Sequence, residues 1–138
     1  MSRRKSRKLA FQTLFQVDQV QADPAEAMNF LLEHVKIDEE GMDYAENLVH
    51  GVIIHQAEID QLLSGFSQSW KMERMFAVDR VILRIGSYEI LYEKVPAPIV
   101  IDEAVEITKA YGDSHSPAFV NAILDQVKKY NEQSSESI

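Results

Sequence analysis

Residues 78–93 read VDRVILRIGSYEILYE, and this stretch decides the fold. Its apolar residues fall at 78, 81, 82, 83, 85, 90 and 91, so at about 100° per residue they cover nearly every side of a helix. A helix that is apolar on almost all sides is buried in a core rather than lying on a surface. We therefore predict that 78–93 is the central helix. Val95-Pro96-Ala97-Pro98 should end it, because a residue before proline disfavours the helical conformation.

Amphipathic segments lie on both sides of this central helix along the chain. The spacing of apolar residues predicts a first helix around residues 10, 11, 14, 15 and 17, and further helices over about 39–66 and 72–76. Capping residues and prolines predict helices from Asp23-Pro24 to about 35 and from Ser116-Pro117 to about 130. A helix over 99–111 should end at Gly112. The sequence thus predicts an all-α domain over 1–130 with about seven helices in two packed helical subdomains, about 1–69 and 70–130. The polar tail 131–138 is predicted to be frayed.

The segment 3–8 gathers positive charge at one end of an acidic chain. Five of its six residues are basic, whereas the rest of the chain carries nine Lys and Arg against 22 Asp and Glu. Such a block is typical of a local contact with a polyanion, although it also occurs as a solvated tail. On a helix, four of its cations share the side of the apolar stripe: Arg3, Arg4, Arg7 and Lys8. That position, beside the edge of the core, favours a binding role.

Catalytic and metal-binding patterns are missing from the sequence. The chain has no cysteine, and its five glycines stand apart, so thiol chemistry and glycine-rich phosphate loops are excluded. His50 and His55 are five residues apart, which does not place them on the one helix face that a metal pair needs. We therefore predict a binding protein without catalytic activity, metal or cofactor. Because no apolar run approaches roughly 20 residues, we also predict a cytoplasmic protein without a membrane span.

Four local strings occur in a fixed order along the chain. They are the basic head with Ala10, Gln12, Leu14 and Phe15; DRVILRI at 79–85 followed by Tyr88-Glu89; IDEAVEI at 101–107 followed by Lys109; and Ser116 followed by Phe119-Val120-Asn121 and Ile123-Leu124-Asp125. Each string alone is weak. Together, from about residue 3 to 130, they resemble the NusB family of bacterial transcription antitermination factors.

The resemblance implies an all-α fold of two subdomains without catalytic activity. It also implies that the chain binds the boxA element of nascent RNA, chiefly in ribosomal RNA operons, together with a small-subunit ribosomal protein that is called NusE in this role. With other Nus factors, the pair joins RNA polymerase and suppresses premature termination. The arginine-rich motif of the family corresponds to Arg3, Arg4, Lys5, Arg7 and Lys8. Its RNA-facing aromatic residue corresponds to Phe119 beside Ser116, and the aromatic residue of its first helix to Phe15.

Several of the residues assigned to RNA contact can be interpreted in two ways. Single-stranded RNA is read by bases that stack on aromatic rings and offer their edges to polar side chains. Phe15 fits such a role, but its place on the apolar stripe suits core packing equally. Asn121 either pairs with a base edge or bonds a neighbouring backbone group. Lys71 and Arg74 either extend the basic path or form surface ion pairs with Glu73 and Asp79.

The partner surface also keeps two interpretations. Arg80, Arg84, Tyr88 and Glu89 interrupt the central helix, and they either present a mixed-charge face to NusE or pair with the acidic helix at 102–106. Two other classes of protein stay as alternatives, a DNA-binding regulator and a helical scaffold with an incidental basic head. Dimerisation that masks the RNA face, as occurs in parts of the family, stays an open alternative to a monomer.

Overall fold

The structure is a computed structural model of the chain, and it describes residues 3–66 and 71–136. Over these ranges the chain forms α-helices and one short 3-10 helix, with no strand. The elements are α1 (Arg3–Val20), α2 (Pro24–Leu32), α3 (Glu39–Ser64), the 3-10 helix (Met72–Arg74), α4 (Ala77–Leu91), α5 (Ala97–Tyr111) and α6 (Ser116–Glu136). The predicted all-α class with about seven helices is confirmed, as six α-helices and the 3-10 helix.

Helix α4 is the centre of the fold, as its sequence predicted. All ten residues from 81 to 90 are buried. The helix packs against α1, α3, α5 and α6, so apolar residues are needed on nearly all of its sides. Each fully buried aliphatic side chain contributes roughly 1.5–3 kcal/mol relative to an exposed one. The apolar surface of α4 therefore joins the helices that precede it to those that follow it.

The helix ends follow local signals in the sequence. Asp23 caps α2 by accepting a hydrogen bond from the backbone N–H of Glu26 at 3.1 Å, and Pro24 is the first residue of that helix. Asp38 caps α3 in the same way through the N–H of Gly41, at 2.7 Å. These caps set the short connections that hold α1, α2 and α3 side by side.

Two helix ends differ from the sequence prediction by three residues or more. Helix α2 ends at Leu32 rather than near 35, because the chain must turn there to reach the cap of α3 at Asp38. Helix α6 continues to Glu136, so 131–136 are helical rather than part of a frayed tail. No glycine or proline follows Tyr130, and Glu and Gln are good helix formers, so nothing stops the helix earlier. The predicted connection over 67–70 lies outside the described residues.

The packing places two groups of helices around α4. Helices α2 and α3 pack on α1, while α5 and α6 pack on each other and on α4. Because α4 also contacts α1 and α3, the two subdomains near residue 70 stay a prediction. Within the described ranges, none of the helices combines the length and the apolar character that crossing a membrane requires.

Candidate nucleic-acid interface

The basic head forms the first turns of α1, where its two leading arginines are exposed but in contact with other helices. The Arg4 guanidinium donates two hydrogen bonds to Glu103 of α5, at 3.0 and 3.1 Å, and its side chain is still 68% exposed. These hydrogen bonds and the charge of Glu103 raise the pKa of Arg4, and Arg4 in turn lowers the pKa of Glu103. Arg3 lies over the ring of Tyr44, 4.3 Å from its centre. Both guanidinium groups therefore remain within reach of a phosphate.

Arg7 differs from its neighbours because it is buried. Its guanidinium donates to both carboxylate oxygens of Glu89 in α4, at 2.8, 2.9 and 3.1 Å, and only 5% of the residue is exposed. The Tyr44 hydroxyl donates a further hydrogen bond to Glu89 at 2.6 Å. Burial opposes the charge of Arg7, but the hydrogen bonds and charge of Glu89 outweigh it and raise the pKa of Arg7. The sequence grouped Arg7 with the RNA-contacting cations, and the structure instead directs it into the core.

Lys5 and Lys8 lie on the flank of α1 that faces the C-terminal end of α2. Both side chains are exposed. The Lys5 ammonium donates to the backbone carbonyl of Lys36 at 3.4 Å. Together with Arg3 and Arg4, these lysines give α1 four accessible cations within six residues.

The second predicted contact region is the start of α6. Ser116 is its first residue and is fully buried. Asp113 accepts hydrogen bonds from the backbone N–H groups of His115 and Ser116, at 2.8 and 3.1 Å. The His115 amide is the main cause of a lowered pKa for Asp113. This closed loop sets the direction in which α6 starts, and with it the position of Phe119, whose ring is half-buried against the core.

A cavity of about 230 Å³ opens beside Phe119, between the 3-10 helix and the α5–α6 loop. Phe119 and Phe76 form aromatic parts of its wall, and Phe76 is 47% exposed. Lys71, Arg74 and His115 also line it. Neither Lys71 nor Arg74 forms an ion pair with Glu73 or Asp79 in the described part of the chain.

Asp79 lines the same cavity and is only 6% exposed. Its Oδ1 atom has no hydrogen-bond partner among the described residues. Burial raises the pKa of Asp79, a hydrogen bond from Ser116 opposes this, and the charge of Asp113 adds to it. A buried acceptor without a partner is unfavourable unless a donor reaches it. The cavity thus combines aromatic walls, cations and an acceptor, which are the groups that hold a nucleobase and its phosphate.

Phe15 and Asn121 occupy different environments. Phe15 is half-buried and packs against Phe11, with ring centres 5.8 Å apart. This contact agrees with the core-packing interpretation of Phe15. Asn121 is exposed and lines a groove of about 530 Å³ together with Arg4 and Pro117. The first turns of α6 therefore separate two cavities, one lined by Phe119 and the other shared with the basic head.

Comparison with known proteins gives a consistent result. A sequence model described as the NusB family matches residues 4–129. The chain belongs to the NusB family. It is 50% identical over 128 residues to the transcription antitermination protein NusB of Syntrophomonas wolfei, an alignment that covers 92% of this chain and 96% of that protein. It is 41% identical over 136 residues to NusB of Bacillus subtilis, which covers 97% of this chain and all of the relative.

Solved structures of NusB proteins have the same fold. NusB of T. maritima superimposes with a TM-score of 0.84 at 34% identity, covering 94% of this chain and 92% of that one. A crystal structure of the antitermination factors NusB and NusE in complex with dsRNA matches with a TM-score of 0.83 at 28% identity, covering 93% and 96%. The six-helix arrangement around α4 is therefore that of the NusB family.

The four residues proposed from the sequence as a NusE-binding face all bond within this NusB-family chain. Arg80 donates to Asp18 at 2.5 and 3.2 Å, and to the carbonyl groups of Met72 and Met75 at 2.9 Å each. Arg84 donates to Asp60 at 2.8 Å through two nitrogens and to Asp18 at 3.1 Å. Tyr88 donates to Glu93 at 2.8 Å, and Glu89 accepts from Arg7. Their charge partners are thus not the carboxylates at 102–106 that the sequence suggested.

Sequence reasoning did not find three residues of this site region. Asp79 and Phe76 precede Phe119 by about 40 positions, and only the packing of α4 on α6 brings them to one cavity. Asp18 belongs to the first helix but binds two arginines of α4. Burial opposes its charge, and hydrogen bonds from Arg80, Gln19 and Arg84 outweigh this and lower the pKa of Asp18. The one sequence signal was a carboxylate next to the apolar Val17 near the end of the first stripe.

Proposed function

We propose that this chain is an RNA-binding transcription antitermination factor. It binds boxA-type single-stranded RNA of ribosomal RNA operons together with the ribosomal protein NusE, and it promotes antitermination by RNA polymerase with other Nus factors. We propose a cytoplasmic role in binding and not in catalysis. The observation that carries the RNA-binding role is the cavity beside Phe119, because its groups match the chemistry of an unstacked nucleotide.

The cavity supports base recognition in three ways. The aromatic wall formed by Phe119 and Phe76 provides a stacking surface that accepts any base. The Oδ1 atom of Asp79 is buried beside this cavity without a partner among the described residues, and a turn of the side chain toward the cavity would let it accept a hydrogen bond from an amino or ring N–H group on a base edge. Lys71 and Arg74 provide phosphate contacts, which hold the strand without reading its sequence. Phe119 is therefore proposed as a base-stacking residue and Asp79 as a base-edge acceptor.

The head supplies the remaining phosphate contacts in this proposal. Arg3, Arg4, Lys5 and Lys8 are exposed, and Asn121 shares a groove with Arg4. An RNA phosphate at Arg4 competes with Glu103 for the same guanidinium, so each such contact gives less affinity than a free arginine does. We assign Arg7 to stability and not to RNA contact. Ser116 positions Phe119 rather than touching RNA, because it is fully buried.

Support for NusE as the partner comes from the related complex of NusB and NusE with dsRNA. Within this chain, a NusE-binding face on α4 would use the accessible edge of Arg80, while the buried Arg84, Tyr88 and Glu89 would hold that part of the helix in place. Because the body of the chain is acidic, a basic partner beside the RNA supplies phosphate contacts that the chain lacks.

The test is RNA binding by Phe119→Ala. If the ring stacks on a base, affinity for boxA-type RNA falls by about 1–3 kcal/mol, as for other base–aromatic platforms. Tyr130→Ala is the matched control, because Tyr130 is a 45% exposed aromatic residue near the other end of α6. It should leave affinity unchanged. Phe11→Ala, which removes a core ring, gives the scale for lost stability at roughly 3–5 kcal/mol.

Two results contradict the proposal. One is unchanged RNA affinity in folded Phe119→Ala. The other is equal affinity of the wild-type chain for boxA-type RNA and for duplex DNA of the same length, which would indicate a non-specific binder of polyanions. A third arm with double-stranded RNA decides between strand types, since single-stranded RNA is expected to bind more tightly.

A further inference from the structure

A second cationic cavity lies between α1 and the C-terminal end of α2. Its volume is about 470 Å³. Lys5, Lys8, His34 and Lys36 line it, while Leu9 and Leu31 form part of its apolar surface. No carboxylate is among its described lining residues. In a chain with 22 acidic residues against 14 Lys and Arg, such a surface attracts anions where most of the molecule repels them.

The cations of this groove are accessible. Lys8 and Lys36 have exposed side chains, and within the described residues neither ammonium group forms an ion pair. Lys5 bonds the backbone carbonyl of Lys36, which ties the two sides of the groove together. Among the described residues, phosphate contacts at Lys8 and Lys36 therefore would not have to displace a carboxylate, in contrast to the Arg4 contact with Glu103.

An aromatic surface lies at the edge of the groove. Phe30 is 63% exposed, although a large apolar side chain gains stability from burial. Its ring meets the ring of His34 edge to face, with centres 5.5 Å apart. A basic groove with an exposed aromatic ring is the usual combination for single-stranded nucleic acid, where phosphates follow the cations and bases stack on the ring.

The groove is continuous with the proposed RNA interface through α1. Gln12 lines the groove and donates a hydrogen bond to the hydroxyl of Tyr111 at 2.9 Å. Tyr111 is the last residue of α5, directly before the α5–α6 loop that borders the Phe119 cavity. One strand lying across α1 therefore has polar or cationic contacts at both ends.

We propose that the groove between α1 and α2 binds a single-stranded RNA segment that flanks the segment held at α6. Lys36 contacts its phosphates, and the ring pair of Phe30 and His34 stacks on one of its bases. Lys5 and Lys8 of the basic head lie where this segment meets the boxA segment. This inference rests on the proposed RNA-binding function and extends the interface to α2, which the basic head alone did not include.

The test uses the full chain saturated with NusE and two RNAs, the boxA element alone and the same element with a single-stranded extension at its 5′ or 3′ end. At least one extended RNA should bind more tightly than boxA alone. Lys36→Ala should reduce the slope of log K against log salt for that RNA by about 0.7, as expected for one lost phosphate contact on a single strand. Phe30→Ala should weaken the binding of that extended RNA about 5- to 150-fold. Neither substitution should affect the boxA element alone.

The matched control is Lys129→Ala, which removes the same charge from α6 about 20 Å beyond its start. It should leave the salt slope for both RNAs unchanged. If neither extension tightens binding, or if Lys36→Ala and Phe30→Ala change nothing while Phe119→Ala weakens both RNAs, the groove is not an RNA site and the proposed function stands. If no RNA binds the wild-type complex, the proposed function fails, and the groove proposal fails with it.

Discussion

Arg7 and Arg4 belong to the same basic segment, yet the structure predicts opposite outcomes when each is replaced by alanine. Arg7→Ala removes three hydrogen bonds from Glu89, a residue that is 1% exposed, and leaves it only the hydroxyl of Tyr44. Breaking a buried ion pair by removing one partner costs about 3–5 kcal/mol, because an uncompensated charge stays in the core. For a chain of this length, where 1 kcal/mol corresponds to about 4 °C, Tm should fall by about 12–20 °C.

Arg4→Ala should show the reverse pattern. Its pair with Glu103 is exposed, and such pairs contribute little to stability, so Tm should hardly change. RNA affinity should fall, and the slope of log K against log salt should decrease by about 0.7. Differential scanning calorimetry and RNA titrations at several salt concentrations measure both quantities on the same samples.

A double substitution distinguishes the cost of losing the ion pair from the cost of leaving the charge of Glu89 buried without a partner. Replacing Arg7 by Met and Glu89 by Leu together removes both charges, and apolar residues of similar size often replace a buried pair at little net cost. The double variant should therefore be more stable than Arg7→Ala. The reasoning is refuted if Arg7→Ala keeps the wild-type Tm but loses RNA affinity, because Arg7 would then leave Glu89 to contact RNA.

Three further predictions follow from buried contacts and from the proposed partner. The pKa of Asp18 in the folded chain lies below its ordinary value of 3.8, so its contribution to stability is present above that pH and is lost as the pH falls through the folded value. In urea unfolding, the stability of Asp18→Asn should therefore decrease less than that of wild type as the pH is lowered below about 4. Gly51→Ala should cost about 1–3 kcal/mol, since its Cβ would overlap the ring of Tyr88. Gly65→Ala should unfold like wild type, because its Cβ meets only the carbonyl oxygens of Leu62 and Gln61, at 3.4 and 3.7 Å. RNA and NusE should each raise the affinity of the chain for the other by the same factor, roughly 5- to 150-fold, and a titration in which NusE binds but RNA affinity stays constant would contradict cooperative binding.

The fold could be predicted where local chemistry decides the structure. The apolar residues on nearly all sides of 78–93 require a buried helix, and α4 is that helix. Asp23-Pro24 also specifies the start of α2 without help from the rest of the chain, because the cap and the proline act on the same helical turn. Such signals are local, so one sequence is sufficient to read them.

The partner of each charged side chain could not be predicted in the same way. Arg4 and Arg7 are separated by less than one helical turn, and both were assigned to RNA from their position beside the apolar stripe. What distinguishes them is Glu89, which lies 82 positions away in the sequence and reaches only Arg7. Which of the two arginines faces Glu89 is set by how α1 packs on the core and not by the basic segment itself. The acceptors of Arg80 and Arg84 were missed for the same reason.

The start of α1 explains how a basic head stays helical and what an anion adds there. The N-terminal end of a helix carries partial positive charge, so cations in the first turn are unfavourable, and α1 has no acidic residue in that turn. Tertiary contacts offset this repulsion: Arg4 binds Glu103, Arg3 lies over Tyr44, and the Ser6 hydroxyl donates to the carbonyl of Gly41 at 2.7 Å. The cations are therefore ordered before RNA arrives, which lowers the entropy lost on binding. An RNA phosphate then relieves both the repulsion among the cations and the unfavourable end of the helix dipole. Pre-ordering and charge relief together let a short basic segment bind RNA on an otherwise acidic protein.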